Sequence, residues 1–113
     1  MTEPRLRAHI FVQACVRTAL TQGLFAVVAR RGDPDAGAVL VKLNRGPGGF
    51  SVLSQIRTGE GEAAWLRATG PDLVGEAVAD AYIARQIDID YDLWVIEIED
   101  HSGEPPPIPG RIL

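Results

Sequence analysis

Gly32-Asp33-Pro34-Asp35-Ala36-Gly37-Ala38-Val39-Leu40-Val41-Lys42-Leu43 decides how the rest of the chain is read. Its first half, Gly32 to Gly37, combines two glycines, a proline and two aspartates, the residue types that make tight turns. A valine-rich apolar run, Leu24 to Arg31, precedes it, and a second apolar run, Ala38 to Leu43, follows. Two strand-like runs around a turn predict a β-hairpin. Both runs are apolar at odd and at even positions, so both faces of the hairpin are expected to be covered. The hairpin is therefore expected to form the centre of a sheet.

Outward from this centre the pattern alternates between helix and strand. On the N-terminal side, Ala8, Phe11, Val12, Cys15, Val16 and Ala19 recur at three- and four-residue spacing. This predicts a helix starting between Arg5 and Ala8, with Gly23 as its stop. On the C-terminal side, Asn44-Arg45-Gly46-Pro47-Gly48-Gly49 reads as a turn, and Phe50 to Arg57 alternates as a half-buried strand. Thr58-Gly59-Glu60-Gly61 turns the chain again, and Glu62 to Ala68 reads as a fourth, more polar strand nearer an edge. Trp65 on it is expected to be a core or edge-covering aromatic.

Asp72, after Gly70-Pro71, is the expected N-cap of a second helix. Its apolar face is expected to be Val74, Ala77, Val78, Ala81 and Tyr82, with Glu76 and Asp80 opposite and Ile83 and Ile87 beside them. Leu93 to Glu99 is a last strand, with Trp94, Ile96 and Ile98 facing in. The expectation is an α+β fold with a predominantly antiparallel sheet of about five strands. The element order is αββββαβ, the spatial order 5-1-2-3-4, and two helices complete the fold. The last strand is expected to run parallel to the second and fourth and to pair antiparallel with the first. Residues 1–102 are expected to form a single domain. Residues 103–113 carry Pro105-Pro106-Pro107 and Pro109 and are expected to be a flexible tail.

Three stretches carry a family resemblance. They are Arg30-Arg31-Gly32-Asp33 with Asp35-Ala36-Gly37-Ala38-Val39-Leu40-Val41-Lys42, then Asp80-Ala81-Tyr82-Ile83-Ala84-Arg85-Gln86, then Asp92-Leu93-Trp94-Val95-Ile96-Glu97. Together they resemble an alphaproteobacterial family catalogued as DUF1491, a domain of unknown function. The similarity runs from the first helix to about Asp100, and the proline-rich stretch after Gly103 departs from the pattern. The resemblance implies a fold unit and a bacterial origin, and it supplies no activity.

Composition narrows the classes of function. The chain has 113 residues, the size of one domain. No run approaches the ~20 apolar residues that span a bilayer, and no N-terminal apolar segment resembles a signal peptide. A lone cysteine, Cys15, forms no intrachain disulfide, which suits the cytoplasm. On the apolar helix face, Cys15 is expected to be a small core residue rather than a nucleophile. Charge is lopsided: residues 1–58 hold eight basic and three acidic side chains, residues 59–113 three basic and twelve acidic. Such a split marks either a partner surface or two halves that attract each other within one fold.

The candidate chemistry is sparse. Asp33, Asp35 and Lys42 form the candidate catalytic cluster: two loop carboxylates for a divalent ion and a nearby lysine for an anionic transition state, in the manner of metal-dependent nucleases and hydrolases. The usual nuclease spacing places an acid two residues before the lysine, where this chain has Leu40. Turn aspartates also bond their own backbone. The run Asp88-Ile89-Asp90-Tyr91-Asp92 lacks the glycine and final glutamate of a calcium loop. His9 and His101 lie far apart and offer no metal-ligand spacing. No phosphate-binding glycine loop and no nucleophile elbow is present. Arg30, Arg31 and Arg45 are the candidate binding residues, near the ends of the central hairpin. The reading is a non-enzymatic binding or protein-interaction module, without metal or cofactor, taking an anionic ligand or a protein partner. Overall acidity and few aromatics argue against nucleic acid.

Overall fold

The computed structural model describes residues 7–57 and 63–113. The expected turn Thr58–Gly61 and the first residues of the expected N-terminal helix, Arg5 included, lie outside these. The chain folds as α+β, with helices α1 (Ala8–Thr21) and α2 (Glu76–Ile89) and strands β1 (Phe25–Arg30), β2 (Val39–Asn44), β3 (Phe50–Arg57), β4 (Ala63–Arg67), β5 (Trp94–Glu99) and β6 (Arg111–Ile112). Among the described residues, no helix is long and apolar enough to cross a membrane.

The sheet is six-stranded and mixed, in the order β1-β5-β2-β3-β4-β6. This corrects the expected order and the expectation of a predominantly antiparallel sheet. β5 runs antiparallel to β1 and parallel to β2, the directions read from the sequence. It lies between those two strands rather than outside β1, so β1 and β2 do not form a hairpin. The physical reason is in the connecting segment. Asp33 N donates to Asp92 O at 3.0 Å, Trp94 N to Ala38 O at 2.9 Å, and the Trp94 indole Nε1 to Asp33 O at 2.7 Å. Residues 32–38 thus straddle the entry of β5 and hold β1 and β2 one strand apart. A side chain on Gly32 or Gly37 would collide with the Asp92 carbonyl, so both glycines serve close backbone approach.

Alternate residues of the strands feed two cores on opposite faces of the sheet. Val39, Val41 and Leu43 join Leu53, Trp65, Trp94, Ile96 and Ile98 under the α1 face of Phe11, Val12, Cys15 and Ala19. Leu40, Val52, Leu93 and Val95 pack with Ala79 and Ile83 of α2. One helix on each side explains why the central strands are apolar at both parities. The apolar face read for α1 is the buried one, and Gly23 ends the helix at φ 78°. The α1 N-terminus has no side-chain cap; Ala8 N and His9 N donate instead to Asp35 O and Pro34 O.

The face expected for α2 is corrected. Val78 is 54% exposed, and Ala79 and Ile83 point inward instead. The helix starts after Gly75, not Asp72, because Val74 is first drawn into a two-bond bridge with Phe50. The stretch expected to be a flexible tail is docked on the protein. Ile108 is buried, Trp65 Nε1 donates to Pro109 O at 2.8 Å, and Leu113 N donates to Trp65 O at 2.8 Å. Gly110, at φ 94°, lets the chain approach Ala63 closely enough for β6 to cover the edge of β4.

Two outcomes test this architecture. Val41 is fully buried in the central strand β2. Val41→Asp is expected to remove about 3–5 kcal/mol by burying an unpaired charge, and so to abolish the cooperative thermal transition followed by circular dichroism. Truncation after Ser102 strips Ile108 and the cover of Trp65. It is expected to lower stability by at least about 2 kcal/mol, the scale of one large buried side chain, and to shift tryptophan fluorescence to the red. An unchanged melting temperature would show that the docked segment contributes nothing.

Candidate functional site

The expected catalytic trio is dispersed. Asp33 Oδ1 accepts from the backbone N–H groups of Asp35 and Ala36 at 2.8 and 2.9 Å, which closes the local turn. Those two bonds, the Ala36 one first, hold its carboxyl below the usual aspartate range. Asp35 stands at the surface, 3.7 Å from Arg7, with both side chains 69% exposed.

Lys42 points to the α2 face, where its Nζ lies 2.8 Å from Glu76, 2.8 Å from Asp80 and 3.7 Å from Glu97. Glu76 and Asp80 are one helical turn apart and so share a face, and Glu97 is the register partner of Lys42 on β5. Burial by itself would lower the Lys42 pKa; hydrogen bonds to Asp80 and Glu76 and the nearby carboxylate charges outweigh it and raise the value. Lys42 therefore fastens α2 to the sheet.

The expected binding arginines also separate. Arg30 NH1 donates to Leu93 O at 2.6 Å and its guanidinium lies 5.2 Å from the Tyr91 ring centroid. Arg31 sits 5.8 Å from the Trp94 ring centroid. Arg45 follows β2 at the far end of β5, beyond the Asn44–Glu99 register pair. It donates to Asp100 O at 3.2 Å and Glu104 O at 2.8 Å, and lies 3.4 Å from the Asp100 carboxylate. Asp100 is buried, which alone would raise its pKa. Hydrogen bonds from Ser102, then the charges of Arg45 and His101, overcome that and lower it. Arg45 latches the start of the C-terminal segment to the sheet.

That latch frames a cleft of about 520 Å³. Leu43, Ser51 and Leu53 line it from the sheet, and Pro71 and Leu73 from the loop that the Phe50–Val74 bridge pins in place. Gly49, at φ 115°, makes that bridge possible, since a side chain there would strike the Val74 carbonyl. The C-terminal segment supplies the other wall, including Pro105, Pro106 and Ile112. Among the described residues, three arginines line the cleft, Arg45, Arg67 and Arg111, and no acidic residue does. Arg67 is the register partner of Leu53, so the two project to one face. Among the described residues, neither Arg67 nor Arg111 has a carboxylate within ion-pair distance. The sequence reading passed over both. Their signal was that only three basic residues occur in the acidic half of the chain, and two of them meet here.

Elsewhere little is poised for chemistry. Burial pushes the Cys15 thiol up to about 12, against a smaller opposing backbone hydrogen bond, which leaves it inert at neutral pH. Among the described residues, no three His, Cys, Asp or Glu side chains gather into a group that could hold a metal ion. The Asp90 carboxylate of the acidic run accepts from Asp92 N, a local turn.

The family described as "Protein of unknown function (DUF1491)" matches residues 6–107. The chain is similar to a DUF1491 family protein from Caulobacter crescentus CB15 seen by crystallography. Identity is 38% and the TM-score 0.80, with 96% of this chain and 97% of that chain covered. An NMR structure of a DUF1491 family protein from the same organism gives 39% identity and a TM-score of 0.79, covering 96% and 98%. The solution structure of protein Atu0922 from A. tumefaciens is 27% identical with a TM-score of 0.76, covering 94% and 93%. None of the curated proteins matches the chain.

The Lys42 cluster has a definite signature in pH. Its raised pKa means that the stabilisation is complete below the unfolded value of 10.5 and is lost as pH rises through the folded value. Lys42→Met is expected to lack this component. The difference in unfolding free energy between wild type and variant, measured by urea denaturation, is expected to be constant from neutral pH to about pH 10 and to shrink above 10.5. A difference that does not change with alkaline pH would remove Lys42 from that role.

Proposed function

Since the chain belongs to the DUF1491 family, whose description carries no activity, we propose from its own geometry that it is a non-enzymatic binding module for an anionic ligand. The observation that carries this is the arginine cleft: Arg67 and Arg111 with no carboxylate partner among the described residues, beside the latched Arg45, in a chain of net charge −4. An overall acidic protein repels anions at long range, so a local group of guanidinium ions without acids is a recognition feature. The volume falls in the roughly 300–1,000 Å³ range of small-molecule sites. Guanidinium groups suit carboxylate or phosphate oxygens through paired hydrogen bonds.

Support for binding over catalysis comes from the commitments of the reactive side chains. Lys42 is held by three carboxylates, Asp33 by its own turn and Cys15 by burial. A cytoplasmic site of action accords with the lone buried cysteine.

The test is a heteronuclear NMR titration at low ionic strength with acetate, inorganic phosphate and octanoate. At least one is expected to give saturable shifts of the Leu43, Ser51, Leu53 and Arg67 amides, weakened by added salt. The double variant Arg67→Gln/Arg111→Gln is expected to keep its melting temperature and lose those shifts. Absence of a saturable shift with all three probes, or equal shifts in the folded double variant, would refute the reading.

A further inference from the structure

The cleft also carries information about the body of its ligand. Resting on the anion-binding reading, we infer that the ligand is an aliphatic anion: a saturated chain bearing one carboxylate head, rather than a nucleotide or a bare inorganic ion. Leu43 and Leu53 line the cleft from the sheet, Leu73 from the loop and Ile112 from the C-terminal segment. Aliphatic groups therefore come from three separate parts of the chain and converge on one space. Leu43 and Leu53 form a buried floor, and above it Leu73, 43% exposed, and half-buried Ile112 present open aliphatic surface. A ligand without a hydrocarbon part would leave those two facing water, and the gain from covering them scales with apolar area.

The lining also shows what the cleft does not read. Among the described residues it includes no Phe, Tyr, Trp or His, so none of them offers a stacking platform for a nucleobase. It also includes, among the described residues, no Asp, Glu, Asn or Gln, the side-chain acceptors that sugar hydroxyls and exocyclic amines require. Among the described residues, the polar residues of the lining are Arg45, Arg67, Arg111 and Ser51. Donors of this kind fit the oxygen atoms of a single acidic head.

The head is assigned to Arg67. Arg45 is already held by Asp100 and by the Asp100 and Glu104 carbonyls, whereas Arg67 sits across the ladder from Leu53, where charge and hydrocarbon meet. Carboxylate at Arg67 and chain along Leu73 and Ile112, over the floor of Leu43 and Leu53, is the resulting pose.

The experiment compares four probes on the full chain by calorimetry and methyl NMR: octanoate, octylammonium, adenosine monophosphate and inorganic phosphate. Octanoate is expected to bind saturably, to shift the methyls of Leu43, Leu53, Leu73 and Ile112, and to bind about tenfold or more tightly than phosphate or the nucleotide. Octylammonium is expected not to bind. Arg67→Gln is expected to weaken octanoate by about tenfold or more, the usual effect of losing a charge-assisted hydrogen bond, with melting temperature unchanged. Leu53→Ala, checked for folding, is expected to weaken octanoate and leave phosphate unaffected. Tighter binding of phosphate or the nucleotide, with the methyls unmoved, would overturn the aliphatic assignment and leave an anion site standing. Equal binding of octanoate and octylammonium, or no binding by any probe, would overturn the anion site as well.

Discussion

The backbone of residues 32–38 reaches three places at once, and the architecture depends on it. Through Asp33 and Ala38 it holds the entry of β5; through Pro34 and Asp35 it accepts the first N–H groups of α1; at its two ends it releases β1 and takes up β2. Each such hydrogen bond contributes only about 1 kcal/mol net, yet leaving a buried polar group without a partner costs more. The segment satisfies the orphan donors of a helix that has no side-chain cap. It also keeps a strand-wide gap between the edge strand β1 and β2, which β5 fills. Proline and aspartate shape its bend, and its two glycines allow contact with the Asp92 carbonyl.

The second constraint is electrostatic and sits on the opposite face. A lysine in the middle of β2 is tolerable only with partners, because an unpaired buried charge is severely unfavourable. α2 supplies Glu76 and Asp80, and β5 supplies Glu97. Meeting this demand fixes the rotation of α2 about its axis. Ala79 then faces the sheet and Val78 faces water, although valine is the more apolar of the two. Charge pairing here overrides the hydrophobic ranking of neighbouring helix positions.

These two constraints account for what could be read in the amino-acid order. The α1 face was legible because Phe11, Val12, Cys15 and Ala19 form a single stripe, and β5 because Trp94, Ile96 and Ile98 alternate with Glu97 and Glu99. Strand directions followed from the connections. The position of β5 did not, since nothing local distinguishes a loop that joins two neighbours from one that spans a gap. α2 was ambiguous because alanine, valine, tyrosine and isoleucine occur on two flanks. The segment after Gly103 was misread for its prolines, while Ile108 and Ile112 carried the docking. In the candidate site, Arg45 was visible beside its turn. Arg67 and Arg111 are 44 residues apart in chain number and come to line one cleft because Gly110 brings β6 against β4.

The insertion of β5 has a kinetic side. The strand that joins β1 to β2 begins at Trp94, fifty residues after β2 ends at Asn44. During synthesis the β1 and β2 segments are made well before the segment that lies between them in the sheet. Their direct association closes a short loop and is entropically the cheaper contact, whereas the native pairing joins residues more than fifty positions apart. Folding must therefore pass over, or undo, a locally favoured pairing, as expected for topologies dominated by non-local contacts. The bend at 32–38 acts against that competitor once β5 has been made. Its bonds to Asp92 and Trp94 form only with that strand, so the late segment itself locks the two earlier strands one strand apart.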